Sequence, residues 1–169
     1  MNTDHYNNLY NTLLNLSRNK FFYSKIGLDD TFETRLYLMF FHFSLIMICF
    51  KKKGKKFNQN SYDKLFHNIE NNLRELGFGD VSVNKKMKDF NKILYDILIK
   101  LDLLQDEKKS IKINTKLVKN YFETLNSNDN TKLTLFLDYL LNFFNFCFDK
   151  PLDNMIEHCK NFEFNYGST

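Results

Sequence analysis

The strongest constraint on the fold is an uncharged apolar run at residues 36–50, LYLMFFHFSLIMICF. A helix that crosses a bilayer needs about 20 apolar residues. This run is shorter, it contains His42 and Ser44, and charged residues stand at both of its ends. We therefore predict a buried central helix, and contact of the run with a bilayer is the alternative. A helix that is apolar on every face needs other elements around it.

Helical periodicity covers most of the remaining chain, and it predicts the elements that surround this helix. Apolar residues recur at spacings of three and four in the segments 6–17, 61–76, 83–104, 115–125, 131–148 and 152–159. One Pro and five Gly cannot supply the turns of a β-sandwich. The sequence thus predicts an all-α protein, with a single compact domain of about six to seven helices at residues 1–160. Residues 161–169 are predicted to form a loose C-terminal tail.

Composition and charge narrow the class of protein. The net charge of +4 is mild and does not demand a nucleic acid partner. Three Cys at irregular spacing predict buried thiols in a reducing compartment rather than a disulfide framework. The polar residues 1–8 predict no signal peptide. Many Lys and Asn with no Ala indicate the coding bias of an AT-rich genome, so the three Arg are informative positions.

A basic block follows the apolar run directly, in the sequence KKKGKK at residues 51–56. Its ordinary role is a solvated loop whose cations suit the negative end of the preceding helix. The alternative role is contact with anionic lipid or ribosomal RNA. The residues predicted for that contact are Lys51, Lys52, Lys53, Lys55 and Lys56.

The stretch LRELGFGDVSVNKKM at residues 73–87 predicts a rigid corner between two helices. Gly77 suits the left-handed end of the first helix, and Gly79 permits a tight turn. Asp80 or Ser82 can accept hydrogen bonds at the start of the second helix. Phosphate binding is the alternative, but GFGD lacks the Lys-Ser/Thr of a P-loop.

Charged residues near this corner predict a partly buried ion network that holds helix ends together. An acidic catalytic pair is the rival interpretation of the same carboxylates. Thr31, which follows two of the acids, is a predicted helix start. The predicted members of the network are Asp29, Asp30, Arg35, Arg74 and Glu75.

Motifs for catalysis are absent from the sequence. It contains no HExxH, CxxC or GxSxG pattern. His42 lies inside the apolar run, where a core histidine with a hydrogen-bond partner is favoured over a metal ligand or a base. We therefore predict no enzyme activity, no metal site and no cofactor.

Two blocks resemble the ubiquinol–cytochrome c chaperone family, which includes mitochondrial and alphaproteobacterial cytochrome b assembly chaperones. The blocks are FFYSKIGLDDTFETR at 21–35 and LFHNIENNLRELGFGDVSVNKKMK at 65–88, and the resemblance covers roughly residues 10–100. The C-terminal third adds nothing to it. The matching residues are Arg18, Phe22, Tyr23, Gly27, Asp30, Thr31, Arg35, His42, Leu45, Leu73, Arg74, Glu75, Gly77, Gly79, Asp80, Val83, Lys86 and Met87.

The resemblance implies an assembly chaperone that binds newly synthesised cytochrome b and assists biogenesis of the cytochrome bc complex, respiratory complex III. It also implies a small partner subunit and the ribosome as partners. The expected location is the cytoplasm, peripheral to the inner membrane of a bacterium, or the matrix side in an organelle. The alternative is a membrane- or ribosome-associated helical adaptor without a dedicated client, and a helical enzyme is a third possibility. The residues assigned to client binding, partner binding or a core motif are Tyr23, Asp30, Thr31, Arg35, His42, Arg74, Glu75, Gly77, Gly79, Asp80 and Lys86.

Overall fold

A computed structural model describes residues 3–107 and 109–166, with side chains from residue 9 onward in these ranges. The side chains of residues 1–8, on which the prediction of no signal peptide depends, lie outside the described residues. Within the described part there are seven α-helices and no strand, which confirms the all-α prediction. The helices are α1 (Thr3–Ser17), α2 (Phe32–Lys52), α3 (Gln59–Glu75), α4 (Asp80–Asp102), α5 (Thr115–Tyr121), α6 (Thr131–Phe148) and α7 (Met155–Cys159).

Helix α2 is the centre of the fold, as the apolar run predicts. It packs against α1, α4 and α6, and more than half of its residues are buried. It begins where predicted, because the Thr31 side chain accepts a hydrogen bond from the Thr34 amide at 3.1 Å. Its length and composition would also suit a membrane span, but 67% of its most apolar stretch is buried inside the protein.

The helix predicted at 115–125 is interrupted. Helix α5 ends at Tyr121, and Phe122 leaves the helical region with φ −126° and ψ 88°. A 3₁₀ turn at Glu123–Asn126 follows, so Leu125 still reaches the core and preserves the apolar spacing. Periodicity alone does not distinguish this interrupted path from a continuous helix.

An aromatic interior joins α2 and α6 to the segment between α1 and α2. That segment contains a π-helical turn at Phe21–Lys25, in which the Ile26 amide donates to the Phe21 carbonyl. The turn buries Phe21 and Phe22 against Tyr139, with ring centroids 5.4 and 4.7 Å away. We did not predict this turn, because five residues carry too little periodicity to define a helix.

The C-terminal segment packs on the same interior. Phe162 is buried, and the Phe164 and Tyr166 rings lie 5.2 and 4.7 Å from the Phe21 ring. Phe162, Phe164 and Tyr166 therefore pack on the core, whereas the residues between them are exposed. Residues 167–169 lie outside the described part, and the domain boundary at residue 160 stays a prediction.

The three cysteines are buried and free, which agrees with the predicted thiols. Burial raises the pKa of the Cys49 thiol to about 12. The Sγ atoms of Cys147 and Cys159 lie 2.9 Å apart, between α6 and α7. Burial raises the pKa of Cys147 as well, so the Cys49 and Cys147 thiols stay protonated and pack as small apolar groups.

Candidate functional site

His42 is a structural residue of the core. Its Nδ1 lies 2.6 Å from the Leu38 carbonyl oxygen, and its Nε2 lies 2.7 Å from the Tyr139 hydroxyl. The carbonyl can only accept, so Nδ1 carries the proton and Nε2 accepts from Tyr139. Burial lowers the pKa of His42 to about 4, which keeps the ring neutral near pH 7. The prediction of a core histidine with a hydrogen-bond partner is confirmed.

The corner between α3 and α4 has the geometry predicted for Gly77. Gly77 has φ +95°, its amide donates to the Arg74 carbonyl, and the Phe78 amide donates to the Leu73 carbonyl. These two bonds form a Schellman motif, which ends a helix with a left-handed residue. Gly79 does not need to be a glycine. Its φ of −74° is allowed for any residue, and a Cβ there would meet nothing within 4 Å.

Two separate groups of ion pairs, one around Arg74 and one around Arg35, replace the predicted single network. Arg74 pairs with Asp80 and, at 3.0 Å, with Glu70, and its side chain is 41% exposed. Arg35 pairs with Asp30 at 2.6 Å, and no described ion pair joins the two groups. The prediction of one partly buried network is therefore wrong, because the two Arg side chains lie at separate positions near the surface.

The structure differs from the roles predicted for Asp80, as a helix cap, and for Glu75, as a member of the ion network. Asp80 is the first residue of α4, and its carboxylate binds Arg74 instead of capping the helix. Gly79 is the N-cap residue. Glu75 is exposed at the end of α3, and its charge contributes to the raised pKa of Tyr10, after burial of that ring.

Two further motif residues hold local structure. The Tyr23 hydroxyl donates to the Ser17 carbonyl at 2.6 Å and ties the π-helical turn to the end of α1. Burial and, secondarily, Asp30 raise the pKa of Tyr23 to about 12. The Lys86 ammonium lies 4.8 Å from the centroid of the Phe78 ring, a cation–π contact across the corner.

Two adjoining cavities open beside α1, α2 and α3. The first, which we call the apolar cavity, has a volume of about 160 Å³. The second, the polar cavity, has a volume of about 370 Å³ and is more open to solvent. Arg18 and Arg35 line both cavities. The other residues of the apolar cavity are Tyr10, Leu14, Phe32, Leu36, Met39, Ile69, Asn72 and Leu76, and those of the polar cavity are Lys20, Tyr23, Ser24 and Asp30.

An exposed apolar surface lies next to the apolar cavity. Leu76, which lines that cavity, is 58% exposed, and Phe78 and Val81 are 40% and 87% exposed. We call these three residues the corner patch. We named neighbouring corner residues as site candidates from the sequence but none of these three apolar ones, although Phe78 between Gly77 and Gly79 was a signal for such exposure. Cavity and patch together present a recess with an apolar rim.

The basic block is mostly engaged in contacts with the rest of the fold. Lys51 Nζ lies 2.6 Å from an Asp102 carboxylate oxygen, and Lys52 donates to the Asp106 carbonyl. Lys53 donates to the Lys150 carbonyl and lies over the Phe148 ring. Lys55 and Lys56 are exposed in the loop before α3. The block therefore joins the end of α2 to the ends of α4 and α6.

A second exposed apolar stripe follows the outer face of α4. Tyr95, Ile99 and Leu103 stand four residues apart and are all more than half exposed. The periodicity of residues 83–104 was interpreted only for its core-facing side, so we missed this stripe. A spacing of four outside the core-facing residues is the signal that indicates it.

Comparison with known proteins identifies the family. Residues 24–157 match the ubiquinol-cytochrome C chaperone family. The chain therefore belongs to this family. The match extends through the C-terminal third, where sequence reasoning saw no resemblance, and begins after Arg18 and Phe22. No curated protein and no solved structure matches the chain.

Family membership indicates a chaperone role in assembly of the cytochrome bc complex, with a client protein as partner. Chaperone families of this kind are generally not enzymes. Within the described ranges, no cluster of three His, Cys, Asp or Glu side chains is placed to hold a metal ion.

Proposed function

We propose that this protein is an assembly chaperone that binds newly synthesised cytochrome b during biogenesis of the cytochrome bc complex. The client contact lies on the corner patch and the apolar cavity beside it. The observation that supports this placement is the exposure of Leu76, which lines the recess, and of Phe78, two residues further along the chain. Monomeric proteins bury most large apolar side chains, so a cluster of exposed ones indicates a binding surface.

The surroundings of the patch support this assignment. The Schellman motif and the Arg74–Asp80 pair fix the corner, so its apolar side chains are presented without reordering of the backbone. A preorganised surface loses less conformational entropy on binding. A very hydrophobic nascent membrane protein offers the apolar segments that such a surface would cover.

We also propose a location on the cytoplasmic side of the inner membrane, or on the matrix side in an organelle. The nature of the client supports it, since a nascent membrane protein emerges from ribosomes at that surface. A small partner subunit and the ribosome are further proposed partners. Exposed Lys55 and Lys56 are the members of the basic block best placed for contact with anionic lipid or RNA.

The test is a crosslinked pull-down from the native cell in a strain that lacks the endogenous protein. Wild type should recover cytochrome b and restore the cytochrome bc complex. Leu76→Ser combined with Phe78→Ser should reduce both readouts several-fold. Leu103→Ser is the control, because Leu103 is an exposed Leu directly after α4 and lines neither cavity.

Two outcomes would overturn the proposal. The first is an intact cytochrome bc complex in the deletion strain together with no cytochrome b in the pull-down. The second is an equal loss of client for the corner variants and for Leu103→Ser. Ribosome or membrane recovery without cytochrome b would instead support the adaptor alternative.

A further inference from the structure

Arg18 and Arg35 stand between two cavities of different chemistry. On one side is the apolar cavity, where Leu14, Met39 and Ile69 share the wall with the polar side chain of Asn72. On the other side is the open polar cavity. A ligand that fills both must therefore carry an apolar group next to a polar one.

The apolar cavity has the size of a single large side chain. Its volume of about 160 Å³ is close to the roughly 150 Å³ of an apolar cavity known to hold benzene. A Phe, Leu or Met side chain fits a space of this size. Leu76 at the mouth extends the apolar contact toward the corner patch.

The polar cavity carries an excess of positive charge. Arg18, Lys20 and Arg35 line it, against the single carboxylate of Asp30. Arg35 uses its Nη1 on Asp30. The exposed Arg18 guanidinium has no ion pair with any residue that the structure describes. A guanidinium offers two parallel N–H groups to a carboxylate, so Arg18 is suited to an acidic partner.

We propose that this paired site recognises a client segment in which a large apolar side chain stands next to an Asp or Glu. The apolar side chain enters the apolar cavity, and the carboxylate accepts hydrogen bonds from Arg18. The proposal rests on the chaperone function above and adds a charge requirement to it. Side chains on one face of a helix, three or four residues apart, have the reach for both cavities.

Short synthetic peptides test the charge requirement with the full-length protein. The probe carries Phe and Asp three residues apart in an Ala/Gln-rich background that favours a helix, with both ends blocked. Matched peptides replace Asp with Asn or Phe with Ser. Titration followed by NMR amide shifts gives each Kd and shows whether the residues around the apolar cavity respond.

The Phe–Asp peptide should bind about three- to tenfold more tightly than the Phe–Asn peptide, because one charge-assisted contact at a solvated site is lost. Arg18→Gln should remove this difference, and Arg18→Lys should keep part of it. Lys116→Gln is the control, since Lys116 is an exposed cation on α5, which lines neither cavity. Arg18 is exposed, so its variants should melt like wild type.

Equal binding of the Asp and Asn peptides, or no binding of the Phe–Asp peptide at millimolar concentration, would overturn the inference. A preference for Asp that survives Arg18→Gln would also overturn it. These results leave the proposed function intact if the corner variants still lose cytochrome b in the pull-down. Loss of the proposed function is recognised separately, by the absence of cytochrome b with wild type.

Discussion

The two best-defined polar contacts of this protein differ in burial and in charge. The His42–Tyr139 bond joins α2 to α6 in the centre of the fold, and both residues are fully buried and neutral. The Arg74–Asp80 pair joins α3 to α4 at an exposed corner, and both groups are charged. Both pairs include residues of the family-like motif, but only the first is in a position to control global stability. The exposed Arg74–Asp80 pair instead fixes the corner that presents the corner patch.

The largest expected effect is the response of the buried pair to acid. The pKa of His42 is about 4 in the folded protein, against about 6.5 when unfolded, so the unfolded state binds more protons between these values. The contribution of His42 to stability is therefore complete above pH 6.5 and is lost as the pH falls. We expect a loss of about 3 kcal/mol by pH 4, measured by urea denaturation across this range.

The double variant His42→Phe with Tyr139→Phe isolates this effect. It replaces both partners with apolar groups of similar shape, which leaves no unpaired hydroxyl or ring nitrogen. Its free energy of unfolding should fall less with acid than that of wild type. Equal pH slopes for the two proteins would show that His42 is not the group that titrates.

Much of the fold was predictable because its determinants are local. The apolar run at 36–50 and the periodicity of the segments around it correspond to the helices observed. Gly77 was predictable too, since few residues other than Gly tolerate its backbone conformation. The π-helical turn at Phe21–Lys25 was not, because its burial depends on Tyr139 and the C-terminal rings, far away in sequence.

The candidate site was less predictable than the fold. The residues of the apolar cavity come from α1, α2 and α3, and only packing brings them together. Arg74 illustrates the difficulty, since the sequence indicates a charged partner but not how exposed the pair is. The corner patch was hidden because Leu76 and Phe78 flank Gly77, and an apolar residue beside a helix-ending Gly is expected to pack as part of the cap.

A smaller effect is expected within the corner itself, where two glycines offer a matched test. Gly77→Ser should lower the free energy of unfolding by about 1 kcal/mol, because a left-handed backbone is strained for residues with a Cβ. Gly79→Ser should cost nothing measurable, since Ser is a preferred N-cap residue and the site is open. Chemical denaturation of the two variants measures both. Equal losses would contradict the assignment of Gly77 alone to the left-handed turn.

A smaller loss of stability than that of Gly77→Ser is expected for Arg74→Ala. Arg74 is 41% exposed and Asp80 is 81% exposed, so water and salt screen their attraction. The melting temperature should fall less than for Gly77→Ser, and the remaining difference from wild type should shrink in 1 M salt. A fall as large as that of Gly77→Ser would show that the charged pair stabilises the whole fold, as the buried pair does. Near-normal melting with reduced recovery of cytochrome b would instead place the effect of Arg74 at the client surface, because an exposed pair that fixes the corner can alter binding without altering the core.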